Sequence, residues 1–320
     1  MIIDGFHGGQ VTRIGVALSA LTAKPIEIVR IRENRPNPGL RAQHIKAIEA
    51  VKTLCDAEVE GLEIGSRRIK FFPGELKNRK VRVETGTAGS LSLIIQAFML
   101  AASLKGGELH ARGGTDVTFA PPIDYLKLVT FRTLEKFGFK GEIEVLKRGY
   151  YPKGGGEVKV RIKSSSFSFI EILEVKGEEF RGISHATNLP GVAIRMKRSA
   201  MKVLSPKIPL KIEVEERFEE PWKKGCAIVI GGFGRGGSCL GEKGKRAEIV
   251  GREAAEELIS NLKYPLDPHM SDQILPFVVV FGGKVKILET GHVKALLKLF
   301  SEMKLEYKYS DGIFESKGIL

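Results

Sequence analysis

Apolar and polar positions along the chain repeat one pattern three times: a start of small or polar residues, an apolar stretch at helical spacing, a break, and a strand. The first copy begins at Gly8-Gly9-Gln10, runs as a helix from Val11 to Leu21 and enters a strand over Ile26 to Ile31. The second begins at Thr87-Ala88-Gly89-Ser90, continues through Leu91 to Leu104, breaks at Gly106-Gly107 and enters Glu108 to Ala111. The third begins at Ser271-Asp272-Gln273, runs to Phe281, breaks at Gly282-Gly283 and enters Lys284 to Leu288. Each copy then predicts a second helix, at Leu40 to Cys55, Ile123 to Phe137 and His292 to Met303. A hairpin follows each, at Glu58 to Phe72, Glu142 to Ile162 and Leu305 to Glu315.

Three units of this kind, each a small sheet with two helices on one face, bury their apolar stripes by packing helices inward around a shared core. Lys176 to Tyr264 departs from the pattern. There the chain reads as strand (Phe180 to Ser184), helix (Val192 to Val203), two strands (Lys211 to Glu215, Cys226 to Ile230) and helix (Lys245 to Leu262), an inserted α/β layer bounded by Pro265 and Pro268. The predicted class is α/β (α+β), a large domain of three repeats plus a smaller insert.

Composition narrows the partner. With 320 residues, 42% of them apolar, the chain can bury a large core, and 51 Lys and Arg against 38 Asp and Glu leave a formal charge of +13. Such an excess favours a polyanion, nucleic acid above all, although a solvated lysine-rich surface carries the same excess. Three widely spaced cysteines, Cys55, Cys226 and Cys239, suggest neither a disulfide framework nor a structural zinc site and fit a reducing cytoplasm. The N-terminus lacks the pattern of a secretory signal, and no apolar run is long enough to span a bilayer.

Several segments carry candidate chemistry. Arg32-Glu33-Asn34-Arg35-Pro36-Asn37-Pro38-Gly39-Leu40, followed by Gln43-His44, sets two arginine forks before a helix N-terminus, a combination suited to phosphate oxygens. Simple helix capping is the competing reading. Thr85 to Ser90 opens a helix with small residues that let an anion approach the backbone, or that merely cap it. Arg112 to Val117, with Ala120-Pro121-Pro122-Ile123-Asp124-Tyr125, joins a Gly-Gly turn to carboxylates and a Pro-Pro helix start. Arg148 to Gly156 reads as a basic, aromatic hairpin tip that could follow an RNA backbone and stack a base, or as a plain glycine-rich turn.

Gly232-Phe233-Gly234-Arg235-Gly236-Gly237 has dinucleotide-fingerprint spacing, but helical periodicity resumes only at Lys245, so that function is disfavoured. There is no Gly-Lys-Ser or Gly-Lys-Thr phosphate loop, and none of the six histidines pairs at metal-ligand spacing. His292 follows Gly291 at the mouth of a helix, where a ring can project into a cleft or simply cap.

In their order along the chain these segments resemble the RNA 3′-terminal phosphate cyclase family: Asp4-Gly5, Gly8-Gly9-Gln10, Arg32 to His44, Thr87 to Gln96, Gly113 to Tyr125, Tyr150 to Glu157, Arg181 to Ser184, Gly241 to Gly244 with Ala247-Glu248, Ser271-Asp272-Gln273 and His292. The resemblance implies three two-helix, four-stranded units over 1–177 and 265–320, with a thioredoxin-like insert at 178–264. It implies an ATP-dependent conversion of an RNA 3′-phosphate to a 2′,3′-cyclic phosphate with a divalent metal (magnesium or manganese), releasing AMP and pyrophosphate through a nucleotidyl-histidine at His292. It implies nucleotide-site roles for Gln10, Arg13, Arg32, Arg35, Gln43, Pro122, His269, Asp272 and Gln273. Relatives usually carry a glutamate for metal and nucleotide in a longer N-terminal loop; Asp4 to Gln10 is shorter and has none, which leaves three alternatives: His7 or Asp4 substitutes, water completes the shell, or activity is weakened. Val293-Lys294-Ala295 also lacks the Thr-Asn character common after the histidine. A non-catalytic branch of the same resemblance, RNA-binding factors of ribosome assembly, lacks the histidine, so His292 favours the enzyme. Enolpyruvate transferases use six such units in two equal domains, against three and an insert here.

Overall fold

The structure, a computed structural model, describes every residue except Glu178 and Pro221. The expected domain boundary at 178 therefore lies outside the described residues. Sixteen strands among the described residues form four sheets of four.

The first sheet has the order β1 (Ile2–Asp4), β2 (Ile26–Val29), β4 (Ile69–Phe72), β3 (Glu58–Glu60); β1 and β2 are parallel and the other pairs antiparallel. The second, β5 (Lys80–Glu84), β6 (Gly107–Gly113), β8 (Gly156–Lys163), β7 (Lys140–Lys147), pairs in the same sense. So does the third, β9 (Ile170–Ile172), β14 (Gly283–Lys286), β16 (Ile313–Ser316), β15 (Lys308–Ser310). The fourth is β11 (Leu210–Arg217), β10 (Phe180–Thr187), β12 (Gly225–Gly232), β13 (Arg235–Leu240).

Helices α1 (Gly9–Thr22), α2 (Ala42–Cys55) and α3 (Leu91–Ala102) pack against one another. α3 is apolar on nearly every face, which suits a helix at the centre of a core. One apolar cluster runs from Ile3 to Phe314, and a second lies wholly within Phe180 to Leu258, beneath α6 (Val192–Leu204) and α7 (Ala247–Asn261). No helix among the described residues is long and apolar enough to cross a membrane.

Two helices differ from the expected ones. The stretch from Ser271 to Phe281 is split into α8 (Pro268–Gln273) and α9 (Leu275–Phe281), with Pro276, which has no N–H, in the first turn of α9. The helix after Pro122 runs as α4 (Ile123–Tyr125), a π-helical stretch Leu126–Phe131, and α5 (Arg132–Glu135). The π-helical stretch is where the fourth sheet sits down: a Cβ at Gly231 or Gly236 would come within 2.4 or 2.8 Å of Val129 Cγ2. The glycine run from 231 to 237 thus belongs to a strand–turn–strand, β12 into β13, that needs close approach, and opens no helix.

Candidate functional site

The chain brings several helix N-termini to one place. A Cβ on Gly9, first residue of α1, would lie 2.0 Å from His44 Nε2 in the first turn of α2, so only glycine fits. Gln43 Oε1 accepts from Ser90 N, the N-cap of α3, at 3.1 Å. Gln10 Oε1 lies 3.0 Å from His292 Nδ1, in the first turn of α10 (Gly291–Glu302), whose start is fixed by Val293 N donating to Thr290 Oγ1. Aligned peptide dipoles give this end of the molecule partial positive charge and unpaired N–H groups.

Arginines add to it. Arg13 is almost fully buried one turn along α1; burial pulls its guanidinium down to about 10, and Arg32 pushes the same way against the opposing Asp272. Arg32, at φ 56°, donates to Asn37 O and Gly39 O at 2.9 and 2.8 Å, holding the loop that carries Arg35. Burial, then Arg41 and Arg35, lowers Arg32 as well. His44 is driven well below the usual histidine range by burial and by Arg13, Arg32 and Arg41, so it is a neutral ring, with Nδ1 accepting from Arg41 N at 3.0 Å.

Gln10 sets the tautomer of His292. Its Nε2 amide donates to the Asp272 carboxylate, which turns Oε1 toward His292. Nδ1 must then carry the hydrogen it donates, leaving the lone pair on Nε2. Desolvation on the protein side of the ring, then Arg13, His269 and Arg35, lowers the affinity of His292 for a second proton, while the residue keeps an exposed face. Asp272 is raised to about 7 by burial, with Asp267 adding and His269 and Gln10 opposing.

Other expected residues lie one layer out. Gln273 Oε1 accepts from Thr130 Oγ1 at 2.6 Å, inside the fold. Pro122 precedes α4 and its carbonyl accepts from Tyr125 N at 3.0 Å. The exposed His269 ring meets Tyr125 edge-on at 5.6 Å, and Tyr125 donates to Asp267 at 2.7 Å. Asp267 also caps α8 through Met270 N and accepts from Gly236 N; the sequence reading did not single it out, though an Asp before a Pro-started helix is the pattern that marks such a cap.

Metal donors are sparse near His292. Asp4 is engaged by Lys298 Nζ at 2.6 Å, Arg30 at 3.5 Å and Phe6 N, and His7 lies exposed against Phe6. Among the described residues the one cluster of three close metal-type donors is Asp116, Asp124 and His185, where Arg148 already supplies positive charge 2.6 Å from Asp124. Of the expected nucleotide-site residues Asp272 alone carries a carboxylate, and burial raises it to about 7.

A solvent-facing imidazole with a free nitrogen, near arginines and helix N-termini, makes a centre suited in charge to phosphate-like anions. The profile of the family described as RNA 3′-terminal phosphate cyclase matches residues 4–305. The chain is 44% identical to an RNA 3′-terminal phosphate cyclase of Pyrococcus furiosus, over 99% of this chain and 95% of the relative. It is 45% identical to one of Archaeoglobus fulgidus (88% and 87%) and 41% to one of Saccharolobus islandicus (94% and 94%). The chain belongs to the RNA 3′-terminal phosphate cyclase family.

Proposed function

We propose that the protein converts RNA 3′-phosphate ends to 2′,3′-cyclic phosphates with ATP, through a nucleotidyl-histidine at His292. The Gln10 bridge between His292 and Asp272 carries this reading, because it leaves Nε2 with a lone pair on a ring that is neutral near pH 7. Nε2 attacks the α-phosphorus of ATP; a P–N bond forms, the bond to the bridging oxygen breaks, and pyrophosphate leaves. An oxygen of the RNA 3′-phosphate then takes the adenylyl group, the P–N bond breaks and the pair returns to Nε2. The 2′-hydroxyl finally attacks the 3′-phosphorus, and AMP departs with its proton.

Arg13, Arg32, Arg35 and the N-termini of α1 and α10 would stabilise the charge that builds on phosphate oxygens. Asp272 would supply the single protein carboxylate to a divalent cation, with phosphate oxygens and water as its other ligands. That cation, when bound, offsets charge on the triphosphate. His269, beside Tyr125, would lie against the nucleotide, and Gln43, Pro122 and Gln273 would hold the surrounding segments.

The same proposal takes 1–177 and 265–320 as a catalytic domain of three repeats, and 178–264 as a thioredoxin-like insert. Two observations support it. The first three sheets share one order of pairing, and β9, before the insert, pairs with β14 after it. The three free cysteines accord with a cytoplasmic location.

The test is incubation with α-labelled ATP and a divalent metal, followed by denaturing electrophoresis, for the native chain and His292→Asn. Acid-labile, alkali-stable label on the native chain alone is expected. A native chain that takes no label with any metal tried would refute the mechanism.

A further inference from the structure

We propose that the β7–β8 hairpin tip and residues 222–224, just before β12, form a stacking platform for the single-stranded RNA that leads into the reacting 3′ end. The inference rests on the reading of the protein as an RNA-end enzyme, and it adds a binding site that the end chemistry does not require.

Tyr151 is 75% exposed and Trp222, the only tryptophan in the chain, is 48% exposed. With Tyr150, Pro152, Lys153 and Lys224 they line a cleft of about 160 Å³, several times the roughly 30 Å³ that one water occupies in the liquid. Lys153 Nζ lies 5.1 Å from the centre of the Trp222 ring and Lys223 Nζ 5.4 Å. Lys223 is neutralised by Glu219 and Glu220 at 2.8 and 3.0 Å. Among the described residues no carboxylate lies within ion-pair distance of Lys153 or Lys224. Flat exposed rings flanked by uncompensated cations match a nucleobase and its phosphate, and the match is indifferent to sequence because every base has a π-face.

The platform has a rigid base. A Cβ on Gly225 would enter the Tyr150 ring at 2.3 Å, and one on Gly155 would meet Trp222 at 2.9 Å. Tyr150 Oη hydrogen-bonds His185 Nδ1 and Thr187 Oγ1, both at 3.1 Å. Tyr151 and Trp222 are thus presented, at the cost of exposing apolar rings, on a base held by these contacts.

It is also joined to the arginine site. A Cβ on Gly154 would lie 2.7 Å from Thr87 O, so the hairpin tip rests on the turn that starts α3. Ser90, at the end of that turn, donates its N–H to Gln43, next to His44 beneath Gly9. A strand whose terminal phosphate sits among Arg13, Arg32 and Arg35 has a continuous route over Thr87 to Gly89 to the aromatic cleft.

The single tryptophan makes the test site-specific. A 3′-phosphorylated RNA of about ten nucleotides, a length within the usual range of single-strand sites, is titrated into the full chain. Trp222 emission and the anisotropy of labelled RNA are followed together, with adenosine 3′-phosphate as the probe that fills only the end site. We expect quenching that saturates at one equivalent with the RNA and none with the mononucleotide. Trp222→Ala and Tyr151→Ala should each weaken the RNA about tenfold, one base–aromatic stack, while Trp222→Phe keeps most of the affinity. Lys153→Glu, which retains the tryptophan, should weaken binding and quenching together. RNA that binds with unchanged emission and equal affinity for all variants overturns the platform and leaves the end chemistry standing. RNA that fails to bind at all overturns both.

Discussion

Arg148 offers the sharpest test of how the region around β10 to β13 is held to the rest of the protein. Its side chain is 1% exposed and donates to Asp124 Oδ2 at 2.6 Å and to Glu215 at 2.9 and 3.2 Å, with Asp116 Oδ2 3.7 Å away. Asp116 and Asp124 flank the Pro-Pro turn, whereas Glu215 and its neighbour Arg217 lie on β11. Burial raises both Asp116 and Glu215, yet His185 and Arg148 bring Asp116 from 3.8 to about 2, and Arg148 with Arg217 brings Glu215 from 4.5 to about 2. At about 1.36 kcal/mol per unit, each shift is worth roughly 2–3 kcal/mol near neutral pH. The two share cations and Glu215 is partly exposed, so they do not add. Arg148→Met, which keeps length and removes charge, is therefore expected to cost about 3–5 kcal/mol, the range for orphaning a buried ion. The sign with pH is also fixed. Depressed carboxylates contribute stability above their unfolded pKa and lose it as pH falls from about 4.5 toward 2. Without Arg148 both carboxylates move up, although His185 still lowers Asp116 and Arg217 still lowers Glu215, so the deficit of the variant against the native chain should narrow as pH falls from about 4.5 toward 2. Urea unfolding at about pH 7 and about pH 3 reads this directly; a loss under about 1 kcal/mol at neutral pH, or a deficit that widens on acidification, refutes the reasoning.

Gln10→Leu keeps side-chain bulk but releases Nδ1, and histidine labelling by ATP should slow about 10- to 100-fold, as when an orienting partner of a functional histidine is lost; unchanged labelling rates would separate Gln10 from the tautomer. Gly9→Ala puts a methyl into His44 and should cost about 1–3 kcal/mol by overpacking, read by thermal unfolding, along with most of the labelling. The labelling rate should hold steady above about pH 7 and fall on acidification below His292's lowered pKa, because the imidazolium has no lone pair; a rate that peaks at about pH 5 would contradict a neutral nucleophile.

The long helices were readable because their apolar spacing is uninterrupted: α1, α2, α3, α6 and α10 lie within a residue or two of where Val11 to Leu21, Leu40 to Cys55, Leu91 to Leu104, Val192 to Val203 and His292 to Met303 place them. The short parallel strands were not. β1, β5 and β9 span three to five residues, too few for alternation to register, and each is recognised only through its partner in the sheet. β13 was hidden by glycine, a poor strand former that is required here by Val129 and by the backbone of α7. At the site, Gln10, Arg13, Asp272 and His292 were identified by resemblance, but no spacing in the sequence ties residue 10 to residues 272 and 292. Asp267 and the Arg148 network stayed out of sight for the same reason, since each joins segments tens of residues or more apart.

The charges at the site carry opposite kinds of strain, and this joins the geometry to the proposed chemistry. Arg13 and Arg32 are held below the ordinary arginine range by burial and by other arginines, so each is short of an anion. Asp272, which faces Arg13, is held at about 7 by burial and Asp267, and would gain from a cation. Had the cluster been structural alone, an ion pair between Arg13 and Asp272 would have relieved both. Gln10 takes the carboxylate instead, and spends its other end on His292. A nucleotide triphosphate with its accompanying cation would satisfy both deficits together. The arrangement therefore leaves ion pairing unsatisfied where a ligand can complete it, while Gln10 keeps the imidazole poised whether or not that ligand is present.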